Sequence, residues 1–274
     1  LNNIAKVEII EGPPSVDFGT DALAGTINLI TNQDTENIFS SSCNLYYESV
    51  GNYNTDLSLS YNLKSHFLAL DIGRKYFDGW SENEEFTLFP RSELADTNRV
   101  KSWNPKEQYF GKIQYKFIKN QNSYRMYYDI YDEKITNLGF PRLPYFETAF
   151  DDYYYTKRNN FGFDINYNLS DFKKIKILSS FNDYKRIKNT YFKDLTTLEE
   201  ILTNSTSDQD TSEFKLLMNK VVFSSFSNEL INYQVGFDSK VELAKGQRIN
   251  NKQRSLGDHA IFLTSKWTPT NYFS

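Results

Sequence analysis

The sequence predicts an all-β fold: a portion of an antiparallel transmembrane β-barrel, about ten long strands of a larger barrel. Three observations predict it. Apolar and polar side chains alternate with period 2 over most of the chain from residue 39, the pattern that sends successive side chains to opposite faces of a sheet. Most alternating segments run about 9–14 residues, longer than the usual 5–6 of a globular sheet. Short and long connections take turns along the chain, as they do where one end of a barrel carries tight turns and the other carries loops.

Composition narrows the classes further. The 274 residues hold 20 Tyr, 22 Phe and 3 Trp, an aromatic share of 16% that argues against disorder. With 31 Lys+Arg against 35 Asp+Glu, the net charge of -4 offers no strong positive field, so general nucleic-acid binding is not expected. A single cysteine, Cys43, excludes an intramolecular disulfide framework and a Cys-based zinc site. His66 and His259 lie on separate strands and read as isolated side chains, and Cys43 reads as a small apolar one. No apolar run approaches the roughly 18 residues of a membrane helix. Nucleotide loops, zinc motifs and nucleophile elbows are missing from the sequence, so neither an enzyme nor a cofactor is expected.

The elements follow in order. Residues 1–31 read as a strand (Val7–Ile10), a Gly12-Pro13-Pro14 break, a short helical turn and a second strand (Thr26–Thr31). Taken alone, that is a βαβ-like corner. A strand over about 42–49 comes next, then the clearest one. There Leu57, Leu59, Tyr61 and Leu63 share one face, and Asp56, Ser58, Ser60, Asn62 and Lys64 the other. Across Lys64-Ser65, Leu68, Leu70 and Ile72 alternate with Ala69, Asp71 and Gly73. The next strands carry Tyr109, Ile113, Tyr115 and Phe117; then Tyr124, Met126, Tyr128 and Ile130; then Phe161, Phe163, Ile165, Tyr167 and Leu169. Weaker alternation covers 175–186, 212–222, 229–243 and 259–267.

Short connections fall at 64–65, 118–122, 170–174 and 224–228, with a brief one at 50–53. Long ones fall at 76–106, 135–151, 188–210 and 245–257. A soluble sheet with one solvated face would also alternate. Two features favour lipid instead. Tyr and Phe gather near strand ends, as in interfacial girdles, and the opposite face (Asp71, Lys112, Lys116, Arg125, Asp129, Asp164) suits a wet lumen. Leu1 follows no Met or signal peptide and the last residues begin another strand, so the chain reads as an internal piece of a longer one.

Residues 6–31 add a motif: Val7-Glu8-Ile9-Ile10, Gly12-Pro13, Ser15, Phe18-Gly19, Ala22, Gly25 and Ile27-Asn28-Leu29-Ile30-Thr31. It resembles the end of the plug domain in TonB-dependent outer-membrane receptors. Two positions depart from the family pattern: Glu11, where Arg is usual, and Asp17, where an apolar residue is usual. The resemblance implies that 1–35 is the C-terminal part of an α+β plug domain and 36–274 the N-terminal portion of the barrel. It implies a Gram-negative outer-membrane receptor for high-affinity uptake of a ferric siderophore. Cobalamin, haem or glycan import, or a non-transporting adhesin or porin-like barrel, are the alternatives. Its partners would be a small nutrient ligand, outer-membrane lipid and a TonB-type energy-coupling complex that engages a region upstream of Leu1.

The long loops would then be extracellular. Loop 76–106 holds Trp80 and Arg91, and loop 135–151 holds Arg142, Tyr145 and Phe146. Rings that pack on a ligand and guanidinium groups that face its negative charge suit a catecholate or hydroxamate iron complex. The same aromatics could instead pack the loops onto one another. Glu82, Glu84 and Glu85, or Asp151 and Asp152, offer oxygen ligands for a hard cation, although a solvated loop explains them as well, and no metal site is assigned.

Overall fold

The computed structural model describes residues 4–11, 25–31, 37–82, 99–205, 207–226 and 231–267. β1 (Ile4–Glu11) and β2 (Gly25–Thr31) form a two-stranded sheet of their own. They pair antiparallel from Glu11↔Gly25 to Ile4↔Thr31. A βαβ unit needs parallel strands, so the corner is an antiparallel pair instead. Asn28 Nδ2 donates to Glu8 Oε2 across it at 2.9 Å. Gly12, Pro13, Ser15, Phe18, Gly19, Ala22 and the expected helical turn lie outside the described residues.

The second sheet has eleven strands. They are β3 (Phe39–Glu48), β4 (Asn52–Leu63), β5 (His66–Phe77), β6 (Lys106–Lys119), β7 (Asn122–Leu138), β8 (Thr148–Ser170), β9 (Lys173–Asp194), β10 (Glu200–Leu202), β11 (Asp210–Ser225), β12 (Ile231–Gly246) and β13 (Gln253–Trp267). Neighbours in sequence are neighbours in space from β3 to β13, except that β10 pairs only with β9 and β11 takes the next place beside β9. Every pairing is antiparallel.

Several expected long loops prove to be strand. β8 runs 23 residues and β9 runs 22, so 188–194 belongs to β9 and most of 245–257 to β12 and β13. The physical reason is that ladder hydrogen bonds do not need an apolar face. Beyond the apolar belt both faces turn polar and alternation fades, yet Arg186↔Thr156 and Thr190↔Asp152 still pair.

The register carries the apolar face unbroken from strand to strand. Leu59 faces Leu70, Leu70 faces Ile113, Ile113 faces Tyr128, and Tyr128 faces Phe161. The row continues through Phe181, Leu217 and Val241. Exposure then tells which kind of sheet this is. Leu70, Ile113 and Met126 on the apolar face are 36%, 46% and 50% exposed, whereas Phe67 (5%) and Gln114 (4%) on the polar face are buried. A sandwich would do the reverse, burying its apolar face as a dry core. Here the sheet closes in on its polar side. That side carries directly opposed ion pairs: Lys112–Asp129 at 3.7 Å, Lys220–Asp238 at 4.0 Å, and Arg125–Asp164.

The turns also step. Leu63↔His66 flanks the first tight turn; along the register, Lys119↔Asn122 lies two residues beyond that level and the β8–β9 turn two beyond that. One residue of stagger per strand corresponds to a strand tilt of roughly 35°, the value of a closed barrel. β3 and β13 present unpaired edges in this sheet. Residues 36–274 expressed alone are therefore expected to aggregate. Size-exclusion chromatography checks this, and a monomer that unfolds cooperatively in water would count against a membrane barrel.

Candidate ligand-binding loops

Tight turns lie at one end of the sheet: Lys64-Ser65, Asn120-Gln121 and Asp171-Phe172. The opposite end carries the connections 78–105, 139–147 and 195–209. The first of these has a closed neck. Trp80 N donates to Trp103 O at 3.0 Å, Trp103 N returns the bond at 2.9 Å, and the two indoles stack with centroids 5.0 Å apart. Trp80, expected in a ligand site, therefore packs loop against loop at the base of 78–105. Arg91 lies outside the described residues.

The second connection keeps its aromatics in the open. Arg142 N donates to Thr148 O at 2.8 Å and Phe146 N to Arg142 O at 2.9 Å, which closes the loop. The Arg142 guanidinium lies 4.7 Å from the Phe150 ring centroid, a cation–π contact. Tyr145 is 79% exposed and Phe146 56%, with Phe140 and Leu143 exposed beside them in sequence. Arg142, Tyr145 and Phe146 thus share one short loop, and Trp80 sits at the neck of another.

A different pair joins the two loops. Arg99, from 78–105, donates through Nη2 to Asp151 Oδ2 at 2.5 Å, and the Gly139 amide donates to Asp151 Oδ1 at 3.1 Å. Both ionic partners are buried, Asp151 completely. Gly139 admits no side chain here, because a Cβ would collide with the Phe150 carbonyl oxygen. Among the described residues Arg99 Nε and Nη1 have no hydrogen-bond partner, so the clasp is tight but incompletely satisfied there. The pairing spans 52 positions in sequence, and neither residue type nor spacing announces it.

This clasp corrects the cation reading of Asp151-Asp152. Both oxygens of Asp151 are engaged by Arg99 and Gly139, while Asp152 accepts from Thr190 Oγ1 at 2.5 Å and lies 3.2 Å from Lys188 Nζ. Among the described residues no group of three or more His, Cys, Asp or Glu is placed to hold a metal; Glu84 and Glu85 fall outside them.

A second cluster ties β10 down. Tyr153 OH donates to Glu200 Oε1 at 3.2 Å, Lys193 Nζ to the same oxygen at 2.9 Å, and Lys134 Nζ lies 4.9 Å from the Tyr153 ring centroid. Burial first, and then the charges of Glu200 and Asp151, push the Tyr153 hydroxyl well above its ordinary pKa. The backbone N–H of Thr197, together with the Thr196 residue, holds the Asp194 carboxyl below the usual range and shapes the adjoining turn.

No family model matches the sequence, and no curated protein sequence matches it significantly. Among solved structures, BauA, the ferric preacinetobactin receptor from Acinetobacter baumannii, is 12% identical over 98% of this chain and 51% of its own, with a TM-score of 0.56. The FrpB iron transporter from Neisseria meningitidis is 12% identical over 91% of this chain and 37% of its own, with a TM-score of 0.59. The chain thus spans about half the length of these receptors or less. Likeness at that identity lies in the course of the backbone, the antiparallel run with tight turns at one end and loops at the other. The chain has the fold of a portion of the β-barrel of the TonB-dependent outer-membrane receptors, an open antiparallel sheet.

Proposed function

We propose that this chain is the end of the plug domain (1–35) and the first part of the barrel (36–274) of an outer-membrane receptor that imports a ferric siderophore, coupled to a TonB-type inner-membrane complex. One observation supports the membrane reading above others: in β4–β8 and β12 the apolar face is the more exposed face, and the buried side chains Phe67 and Gln114 lie on the polar one. Only a surrounding hydrocarbon phase makes that arrangement favourable, because each large apolar side chain left in water forgoes about 1.5–3 kcal/mol. The solved structures of like fold include a ferric preacinetobactin receptor and an iron transporter, which favours an iron complex as cargo.

On this reading the loop-bearing end faces outward from the cell. Arg142, Tyr145 and Phe146 form an exposed cationic and aromatic tip, the chemistry that holds a flat, anionic iron chelate. Arg91 would act with them, and Trp80 would hold its loop in place. The test is binding of ferric catecholate and hydroxamate chelates to the full receptor. Arg142→Ala is expected to weaken binding roughly tenfold, a loss of the size that truncated cation and aromatic anchors produce. Trp80→Phe, which keeps the stack with Trp103, is expected to change it little. Unchanged affinity in Arg142→Ala would remove the loop from the site.

A further inference from the structure

Two successive residues of β8 hold the loop that carries Arg142, Tyr145 and Phe146, and they hold it from opposite sides. Side chains alternate along a strand, so Phe150 and Asp151 point away from each other. The Phe150 ring lies 4.7 Å from the Arg142 guanidinium and packs against Phe192, with ring centroids 5.7 Å apart. On the other side, the Gly139 amide donates to one Asp151 oxygen at 3.1 Å and Arg99 Nη2 to the other at 2.5 Å.

Both grips converge on Gly139, the residue that opens the loop directly after β7. A Cβ there would lie 2.1 Å from the Phe150 carbonyl oxygen. The backbone at the start of the loop therefore rests on the residue whose ring carries Arg142. Among the described residues the other hydrogen bonds that shape the loop are backbone ones: Arg142 N to Thr148 O, Phe146 N to Arg142 O, and Leu195 N to Glu147 O. Those act from Arg142 onward. The direction in which the chain leaves β7 is set by the bond to Asp151 and the close fit of Gly139.

Arg99 gives the carboxylate its aim. Ala149, Asp151 and Tyr153 share one face of β8 and all three are buried. A single amide leaves a carboxylate free to turn; a charge-assisted bond at the second oxygen fixes its plane. Packed apolar side chains of like volume are often at least as stable as a buried ion pair, which points to geometry as the use of this one.

Resting on the cargo reading above, we propose that Asp151 and Arg99 are positioning residues of the cargo site. Arg99, reaching in from 78–105, aims the carboxylate that fixes Gly139, and through Gly139 the loop that presents Arg142. Neither residue touches the cargo. Both raise the fraction of molecules whose loop is already in place, and affinity scales with that fraction. Stacking on Phe150 uses only the face of the Arg142 guanidinium and leaves the N–H donors at its edge to an anionic chelate.

The test compares binding of ferric tris-catecholate with folding stability, using the full-length protein in lipid vesicles. Arg99→Leu with Asp151→Leu removes both charges together, so most of the stability is retained while the Gly139 amide loses its acceptor. Affinity is expected to fall about tenfold, as it does when the binding-competent fraction drops to about a tenth. A pair that served stability alone would instead let affinity return with stability. Without cargo, hydrogen exchange at the Gly139 amide is expected to quicken about tenfold, in step with the same fraction. Gly139→Ala leaves both charges in place and should also weaken binding; it carries the comparison if the double leucine variant does not fold. Arg142→Ala separates this proposal from the reading it rests on. If Arg142→Ala binds more weakly while the double leucine variant or Gly139→Ala binds like the parent, the proposal is overturned and the cargo reading stands. Unchanged exchange at Gly139 has the same result. Binding that neither Arg142→Ala nor the double change alters would overturn the cargo reading, and the proposal with it.

Discussion

Asp151→Ala is expected to cost the full-length protein about 3–5 kcal/mol, the range for leaving one member of a buried ion pair without its partner. Asp151 and Arg99 are both buried, and Asp151 also anchors the Gly139 amide. Removing the carboxylate leaves the buried guanidinium without the ion-pair partner it has among the described residues. Urea unfolding in lipid vesicles would report the global loss. Tryptophan fluorescence would report the local one, because the Trp80–Trp103 stack lies in the same loop as Arg99. Because Arg99 Nε and Nη1 have no partner among the described residues, the double change Arg99→Leu with Asp151→Leu is expected to recover most of the stability. A coupling energy near zero in that double-mutant cycle would show that the clasp does not hold the loops together.

The second large effect belongs to the apolar face. Val221→Arg places a charge on the outward side of β11 near mid-depth and is expected to cost about 2–4 kcal/mol, with reduced assembly into membranes. Its neighbour Val222 points to the other side, where Lys220 already pairs with Asp238 at 4.0 Å. Val222→Lys is expected to stay within about 1 kcal/mol of the parent, as lumen-side changes on such strands do. Equal losses at the two positions, measured by urea unfolding in vesicles, would mean that both faces are packed and that the sheet does not meet lipid.

Much of the sheet was legible because, on the membrane reading proposed above, lipid enforces a simple rule. One face of each strand must be apolar for the depth of the belt, so Leu57, Leu59, Tyr61 and Leu63 announce both the strand and its orientation. Above the belt that rule lapses. Nothing in the run Arg186-Ile187-Lys188-Asn189 requires a strand, and only backbone pairing with β8 keeps it extended. The same blindness hid the Arg99–Asp151 clasp. Asp151 reads as half of a solvated acidic pair, and its partner lies in a different loop. The exposed tip of Arg142, Tyr145 and Phe146 was readable as composition, but the role of Trp80 at a neck depends on Trp103, which only the fold brings opposite.

The length of β8 and β9 has a consequence for how such a receptor changes over time. Their paired arms continue past the apolar belt for roughly 30 Å before the chain turns. On the membrane reading, the outermost residues are thus held on stiff masts, clear of the headgroup sugars and remote from the side chains that govern entry into the bilayer. Pressure from antibodies, phage or competing chelators would fall on the tips, where exchange is cheap, while the part that must assemble goes untouched.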